Sequence, residues 1–187
     1  MTRPPRQRSW RLALLSLFVL LVGAPSLASA DPTVDVSKDG TVVGSVTVGA
    51  PLHEVRSHLS NVEQLRRESK DVTDVDVRRE GACEVVTTHA SNMIDLTYTA
   101  RRCPTEAGWL ETLLESDGMT DYYVEWFLEP VPEGVHIRFR MRVDLDIPVP
   151  NRLIRGATRG NVKRSLDGLL ARFGEPSAPP RQVVAGD

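Results

Sequence analysis

Apolar and polar residues alternate along much of the middle of the chain, a pattern that predicts β-strands. The longest alternating segment has its apolar positions at Val135, Ile137, Phe139, Met141, Val143, Leu145 and Ile147. The residues between them are all polar, so one face of this strand is expected to be buried and the other solvated. Turn signals separate six further predicted strands, at residues 41–48, 72–79, 84–90, 94–102, 109–115 and 119–129.

Three other segments repeat apolar residues every three or four positions, which predicts helices. Pro51 suits the first position of a short helix, and a second short helix covers residues 62–68. Asn151 can cap a long helix that runs to about residue 173 and ends at Gly174. This order of elements predicts an α+β fold in which the long helix covers the apolar face of an antiparallel sheet.

The first 30 residues have the pattern of a secretory signal peptide. Four arginines precede an 11-residue apolar run at 12–22, and the small residues Ala28, Ser29 and Ala30 follow it. The run is shorter than the roughly 20 residues that a membrane-spanning helix needs. We expect cleavage before Asp31 and export to the periplasm or the medium. The folded domain is expected at 31–174, followed by a proline-rich, disordered tail at 175–187.

Composition argues against several classes of function. The 187 residues carry a formal charge of −2, which becomes −6 without the four arginines of the first 30 residues, and this acidic balance argues against a nucleic-acid partner. No Cys or His cluster has metal-ligand spacing, so no metal site is predicted. Hydrolase and nucleotide-loop motifs are absent, and none of the four histidines is placed as a buried base. We therefore expect no cofactor, identify no catalytic residue and regard an enzyme as the minority interpretation.

Three short segments follow an order found in a known superfamily. Residues 46–55 (VTVGAPLHEV) join a strand to a helix, residues 126–130 (WFLEP) precede Gly134, and residues 147–150 (IPVP) precede the last helix. With this spacing, residues 40–174 resemble the SRPBCC superfamily, the START-like, polyketide cyclase and lipid-transport group. The resemblance implies a helix-grip fold. In that fold a curved antiparallel sheet, here of about seven strands, wraps around the C-terminal helix and encloses a cavity for a hydrophobic ligand.

Two cysteines lie near the ends of one predicted hairpin. A pairing centred near Met93 sets Cys83 opposite Cys103, and an oxidising compartment permits a disulfide between them. The alternative is two unpaired thiols. The same pairing places three candidate cavity residues on the inner face of the sheet, namely Val86, Thr88 and Tyr98.

The hairpin around Asp117-Gly118 can pair in two registers, and these place the Glu111 side chain on opposite faces of the sheet. A two-residue turn pairs Trp109 with Trp126, Glu111 with Val124, and Leu113 with Tyr122. The carboxylate of Glu111 then faces the cavity, where it can serve as an acid, as a base or as a partner for a polar ligand head. A longer turn shifts the register by one, turns Glu111 outward and brings Leu110 and Leu114 inside. The longer turn is the simpler interpretation and is favoured.

The C-terminal helix carries arginines in line with its apolar face. Val162, Leu166 and Leu169 share that face, and its extension towards the N-terminus carries Arg155 and Arg159. If the helix is continuous through its glycines at 156 and 160, these arginines lie at the cavity rim and can hold a phosphate or carboxylate. If the helix breaks there, they form a solvated face or a patch that attracts anionic lipid. We adopt the rim position as the sharper hypothesis.

The leading hypothesis is an exported binding or transfer protein for a lipid-, quinone- or polyketide-like ligand. Its expected partners are that hydrophobic molecule and, transiently, a membrane surface. The candidate cavity residues on inner strand faces are Val86, Thr88, Tyr98, Trp109, Glu111, Tyr122, Val124, Trp126, Ile137, Phe139 and Met141. Two alternatives are a cyclase or dehydratase-type enzyme on the same scaffold, and an envelope interaction module whose large side chains fill the core.

Overall fold

The computed structural model describes residues 31–91, 95–146 and 148–176. The predicted signal peptide, the hairpin tip around Met93, Ile147 and residues 177–187 of the predicted tail lie outside the described residues. In chain order the elements are β1 Thr33–Val36, β2 Val42–Val48, α1 Leu52–Ser60, α2 Val62–Arg67, β3 Val72–Glu80, β4 Cys83–Ser91, β5 Asp95–Pro104, β6 Gly108–Ser116, β7 Met119–Val131, β8 Gly134–Leu145 and α3 Asn151–Phe173.

The strands form one antiparallel sheet in the order β1-β2-β8-β7-β6-β5-β4-β3. Helix α3 packs against β1, β2 and β8, as the helix-grip fold requires. The predicted fold class is therefore confirmed, with one strand more than expected. The additional strand, β1, has only four residues, three of them exposed, so it shows too little alternation to be recognised.

The core lies between the inner face of the sheet and α3. On β2 and β8 the predicted alternation appears directly, with Val42, Val48 and Val135 fully buried. Helix α3 contributes Val162, Leu166 and Leu169, and Thr158 continues the same buried row. The helix approaches the sheet very closely at Gly44, where a Cβ atom would lie 2.6 Å from Leu166 Cδ1 and 2.7 Å from Val162 Cγ1. These contacts fix the helix against the sheet.

Helix α3 is continuous through Gly156 and Gly160. Its first turns extend beyond the core to the edge of the sheet, where Leu153 is 54% exposed. The Arg155 guanidinium lies beside the turn at Gly40, and Arg159 Nη2 donates a hydrogen bond to the carbonyl of Val34 on β1 at 3.3 Å. Arg159 therefore reaches the edge strand and Arg155 the turn between β1 and β2, and neither reaches the interior.

A disulfide joins Cys83 on β4 to Cys103 on β5, with their Cα atoms 4.3 Å apart. The pairing of the two strands sets Thr88 opposite Tyr98 and Glu84 opposite Arg102. This is the register centred near residue 93 that the sequence predicts. The bond holds the far end of the β4–β5 hairpin closed, on the face of the sheet opposite to the buried side chain of Arg102.

Removing this disulfide should lower the free energy of unfolding by about 3 kcal/mol. The bond joins cysteines 20 residues apart and so reduces the conformational entropy of the unfolded chain. We expect this loss in urea unfolding of a variant that combines Cys83→Ser and Cys103→Ser. Reducing agent should bring the wild-type protein to the same stability and leave the variant unchanged. Equal stability of the oxidised wild type and the variant would contradict the expectation.

Candidate ligand-binding cavity

A cavity of about 840 Å³ lies between the inner face of the sheet, α2 with the segment after it, and the C-terminal part of α3. Seven of the candidate residues named from the sequence line it: Tyr98, Glu111, Tyr122, Val124, Trp126, Phe139 and Met141. Helix α3 contributes a second wall through Asn161, Arg164, Ser165, Gly168, Leu169 and Arg172. The sheet and the two helical segments thus bring distant parts of the chain to one space, which is open to solvent on the helical side, where Lys70, Arg164 and Arg172 are exposed.

Four other candidates are buried without lining this cavity. Val86 packs with Val62 and Val75 in a separate cluster. Thr88 is fully buried with no hydrogen-bond partner for its hydroxyl among the described residues, and Ile137 lies in the main core. The Trp109 ring lies under the guanidinium of Arg102. Strand parity identifies their inner face correctly, but neighbouring side chains cover them.

The rim hypothesis for Arg155 and Arg159 requires a correction. Neither residue lines the cavity, which begins along α3 at Asn161; Arg159 contacts the edge strand and Arg155 lies beside the β1–β2 turn at Gly40. The arginines of α3 that do line it are Arg164 and Arg172. The helical pattern places residues around the axis correctly, but it carries no information on where along the axis the cavity begins.

Glu111 lies inside the sheet, so the favoured longer-turn register is wrong. The pairs are Glu111 with Val124 and Trp109 with Trp126, as a two-residue turn requires. The hydroxyl of Ser116 accepts hydrogen bonds from the backbone N–H groups of Gly118 and Met119 and so closes this short turn. The inward carboxylate is only 3% exposed.

Two arginines compensate the buried charge of Glu111. Arg66 on α2 approaches Glu111 Oε2 to 2.5 Å through Nη2, and the same nitrogen donates a hydrogen bond to the Tyr122 hydroxyl at 2.7 Å. That hydroxyl donates in turn to Glu111 Oε2 at 3.1 Å. On the other side, Arg102 Nε lies 3.3 Å from Glu111 Oε1. We call Arg66, Arg102, Glu111 and Tyr122 the polar centre.

Arg102 connects the polar centre to the rest of the fold. Its side chain is 2% exposed, and its guanidinium lies 4.8 Å from the centre of the Trp109 ring. Its terminal nitrogens donate hydrogen bonds to Glu84 Oε2 at 3.0 Å and to the carbonyls of Leu59 and Ser60 at the end of α1. These carbonyls have no partner within their own helix, so Arg102 serves as a C-terminal cap supplied by a strand. Its ion pair with Glu111 lacks hydrogen-bond geometry, and its Nε–H has no hydrogen-bond partner among the described residues.

Burial sets the protonation state of the polar centre. Burial raises the pKa of Tyr122 well above its ordinary value of 10.0, which outweighs the opposing effect of Arg66. For Arg66, burial opposes the charge most strongly, but Tyr122, Tyr98 and Glu111 together hold the pKa of the guanidinium above its ordinary value. At neutral pH the cavity therefore contains a neutral phenol and a permanent guanidinium.

The raised pKa of Tyr122 should make the folded state sensitive to alkali. The unfolded chain releases the Tyr122 proton near pH 10 while the folded protein retains it. The stabilisation from this group is therefore complete below pH 10 and decreases above it, by at most about 1.4 kcal/mol per pH unit. Urea unfolding between pH 8 and pH 11 should show a steeper loss for the wild type than for Tyr122→Phe. Parallel curves for the two proteins would refute this assignment.

Beside the polar centre, on the same inner face of the sheet, the cavity has an aromatic wall. The rings of Trp126 and Phe139 stack in parallel, 3.8 Å apart with an interplanar angle of 5°. Tyr122, Val124 and Trp126 follow one another on the inner face of β7, so the wall changes from polar to aromatic over about 14 Å. The cavity is therefore suited to a molecule with one polar end and one apolar end.

Sequence reasoning missed both arginines of the polar centre. For Arg102 the signal was present, because the parity that places Tyr98 and Ala100 inside also places Arg102 inside. Arg66 lies in the short helix α2, whose start is fixed by Asn61 accepting a hydrogen bond from the Gln64 N–H. Nothing in the local pattern directs the side chain of Arg66 to a carboxylate on β6.

The described residues contain no group of three or more His, Cys, Asp or Glu side chains arranged to hold a metal ion. Within the same residues no helix combines the length and apolar character needed to cross a bilayer. The polar groups that line the cavity are carboxylates, phenols, guanidinium groups, the Lys70 ammonium, the His58 imidazole, two serine hydroxyls and the Asn161 amide.

Comparison with known proteins places this geometry in context. Residues 39–174 match the family described as "Polyketide cyclase / dehydrase and lipid transport". Among solved structures, the protein TTHA0849 from Thermus thermophilus superimposes with a TM-score of 0.63 at 23% identity, over 71% of this chain and 96% of that one. A START superfamily protein from Mycobacterium smegmatis gives 0.61 at 14% identity, over 71% and 96%. The lipid transfer and protein localization domain of human StarD13 gives 0.59 at 14% identity, over 78% and 85%. No curated protein sequence gives a significant match.

Proposed function

Since the chain belongs to the polyketide cyclase/dehydrase and lipid transport family, we propose that it binds and carries a hydrophobic small molecule in its internal cavity. The observation that carries this proposal is the joined aromatic wall and polar centre within one space of about 840 Å³. That volume falls within the range of roughly 300–1,000 Å³ typical of small-molecule sites. Burial of an apolar chain there supplies about 0.8 kcal/mol of affinity per CH₂ group.

The size of the cavity also bears on the alternative of a filled core. The large side chains Trp109, Trp126, Phe139 and Met141 pack without occupying this space. A module that only contacts other proteins has no use for an internal cavity lined by aromatic rings and ionised groups. We therefore favour ligand binding over a ligand-free interaction module.

Export is part of the proposal. Residues 1–30 have the composition of a cleavable signal peptide, and the Cys83–Cys103 disulfide suits an oxidising compartment. The proposed carrier thus works outside the cytoplasm, in the periplasm or the medium. Detection of the mature protein in the periplasmic or culture fraction, with Asp31 at its N-terminus, tests this part directly.

A fluorescent probe tests the binding proposal. N-phenyl-1-naphthylamine is neutral and apolar, and its emission rises in an apolar site. Titration into the purified protein should saturate at one probe per chain. After solvent extraction and refolding the same stoichiometry should return. A linear, non-saturating rise on both preparations would reject a defined internal site.

A second candidate function is a cyclase or dehydratase-type reaction, and the polar centre is the observation that favours it. A buried carboxylate, a neutral phenol and a guanidinium are in mutual hydrogen-bond contact beside the ligand space. Such groups can donate or accept a proton at a bound carbonyl compound. Conversion of a bound polyketide by the wild type, lost in Tyr122→Phe with binding retained, would establish this function over a carrier.

A further inference from the structure

The cavity contains hydrogen-bond donors that the fold itself leaves unused. Both hydrogen bonds of Arg66 leave from Nη2, so its Nε and Nη1 groups have no hydrogen-bond partner within the described part of the chain. The hydroxyl of Tyr98, which lines the cavity with its ring centroid 5.0 Å from that of Tyr122, has no hydrogen-bond partner there either. The Arg66 guanidinium carbon lies 5.9 Å from the centroids of both tyrosine rings. Donors from α2 and β5 therefore converge on one end of the cavity.

The charge of the cavity wall has the opposite sign to that of the whole protein. Four cationic side chains and three carboxylates line the cavity, namely Arg66, Lys70, Arg164 and Arg172 against Glu68, Asp71 and Glu111. The chain as a whole is acidic. Asp71 lies 3.9 Å from Arg164 at the surface, and Glu111 is enclosed by Arg66 and Arg102. Lys70, Arg164 and Arg172 are exposed, so Arg66 is the lining cation best shielded from water and the one that most favours an anionic guest.

We infer that the ligand is a hydrophobic carboxylic acid whose carboxylate binds Arg66 and Tyr98 while its apolar part lies against Trp126 and Phe139. A free N–H group of the guanidinium, on Nε or Nη1, can donate one charge-assisted hydrogen bond to a carboxylate, and the Tyr98 hydroxyl can donate a second. The change from polar to aromatic along β7 sets the direction in which the molecule lies. This inference rests on the proposed function, since it names the chemical class of ligand for the same cavity.

The negative charge of Glu111 repels an anionic ligand. Removing that charge therefore tests whether the ligand is a carboxylate. Glu111 Oε2 already accepts from Arg66 and Tyr122, and its Oε1 faces Arg102, so the carboxylate holds Arg66 in place while contributing a like charge. The isosteric change Glu111→Gln removes that charge. Binding of an acid should therefore become tighter in this variant, whereas binding of a neutral analogue should not change in the same direction.

Displacement of N-phenyl-1-naphthylamine by two matched probes, dodecanoate and dodecan-1-ol, tests the inference on the full chain. The acid should displace the dye at a concentration about tenfold lower than the alcohol, a ratio typical of one charge-assisted contact. Tyr98→Phe and Arg66→Gln should bring this ratio towards one, and Glu111→Gln should raise it. Arg155→Gln, which removes an arginine of α3 outside the cavity, should leave the ratio unchanged.

The possible results distinguish failure of the carboxylate inference from failure of the proposed ligand-binding function. Equal displacement by the acid and the alcohol overturns the carboxylate inference and leaves the hydrophobic cavity intact. No binding of the dye or of either probe overturns the proposed function itself. If Arg66→Gln does not fold, Tyr98→Phe still tests the carboxylate inference. The Tyr98 hydroxyl makes no hydrogen bond within the described residues, so its removal should leave the fold intact. If Tyr98→Phe and Glu111→Gln both keep the wild-type ratio of acid to alcohol displacement, the carboxylate does not bind at this end of the cavity.

Discussion

Replacing Arg102 by Met should lower the free energy of unfolding by about 3 to 5 kcal/mol, the typical cost of breaking a buried ion pair from one side. The change leaves Glu111 with Arg66 as its sole cationic partner among the described residues, and it leaves the carbonyls of Leu59 and Ser60 without their donor. It also removes the guanidinium from the Trp109 ring. Urea or thermal unfolding of the purified variant measures the loss.

The neighbouring residue provides the control. Arg101 lies on the same strand and pairs with Glu80, but both side chains are about half exposed. Arg101→Met should therefore cost less than about 1 kcal/mol. A similar small cost for Arg102→Met would mean that the polar centre does not stabilise the fold. If both variants were strongly destabilised, the effect would belong to the strand rather than to the buried charge.

A tryptophan at position 168 should block the cavity. Gly168 lines the cavity on its solvent-exposed side, and a Cβ atom placed on it meets no atom of another element within 4 Å, so an indole fits there without a clash. The exchange also replaces glycine in a helix by a residue with higher helix propensity, so α3 itself should not be weakened. Affinity for N-phenyl-1-naphthylamine should fall by about tenfold or more, equivalent to at least about 1.4 kcal/mol.

Gly156 gives a matched control for this variant. It lies on the same helix, its Cβ position is equally open, and it does not line the cavity. Gly156→Trp should therefore bind the dye as the wild type does. Equal binding by all three proteins would place the dye elsewhere on the surface, and equal loss in both variants would indicate a general effect of tryptophan on the helix.

The fold was predictable because its elements carry complete local signals. The strict alternation along β8 identifies a half-buried strand, and Gly174 ends α3 as predicted. The predicted N-cap is wrong, because Asn151 is the first helical residue and Pro150 occupies the cap position without a side-chain hydrogen bond. The pairing of β4 with β5 follows from two cysteines at matching distances from a turn. Among the described strands β1 was missed, because four mostly exposed residues at a sheet edge show no buried face.

The site was predictable only in part, because charged residues violate the rule that inner faces are apolar. The pattern identified the aromatic wall and the tyrosines, because their rings are largely apolar and follow the inner-face alternation. Glu111 is a cavity candidate in one hairpin register and faces solvent in the favoured one, and the arginines that offset the cost of burying its carboxylate come from α2 and β5. Such compensation depends on contacts between elements far apart in the chain, which periodicity does not encode.

The most direct test of the account is to identify what the protein holds when it is made in its natural compartment. The full chain is expressed with its own N-terminal segment, purified from the exported fraction without detergent, and extracted with organic solvent for mass spectrometry. We predict a hydrophobic molecule near one equivalent per chain, absent from Gly168→Trp purified in parallel and present in Gly156→Trp. Empty extracts from wild-type protein, repeated in the native host, would contradict the claim that this cavity carries a ligand.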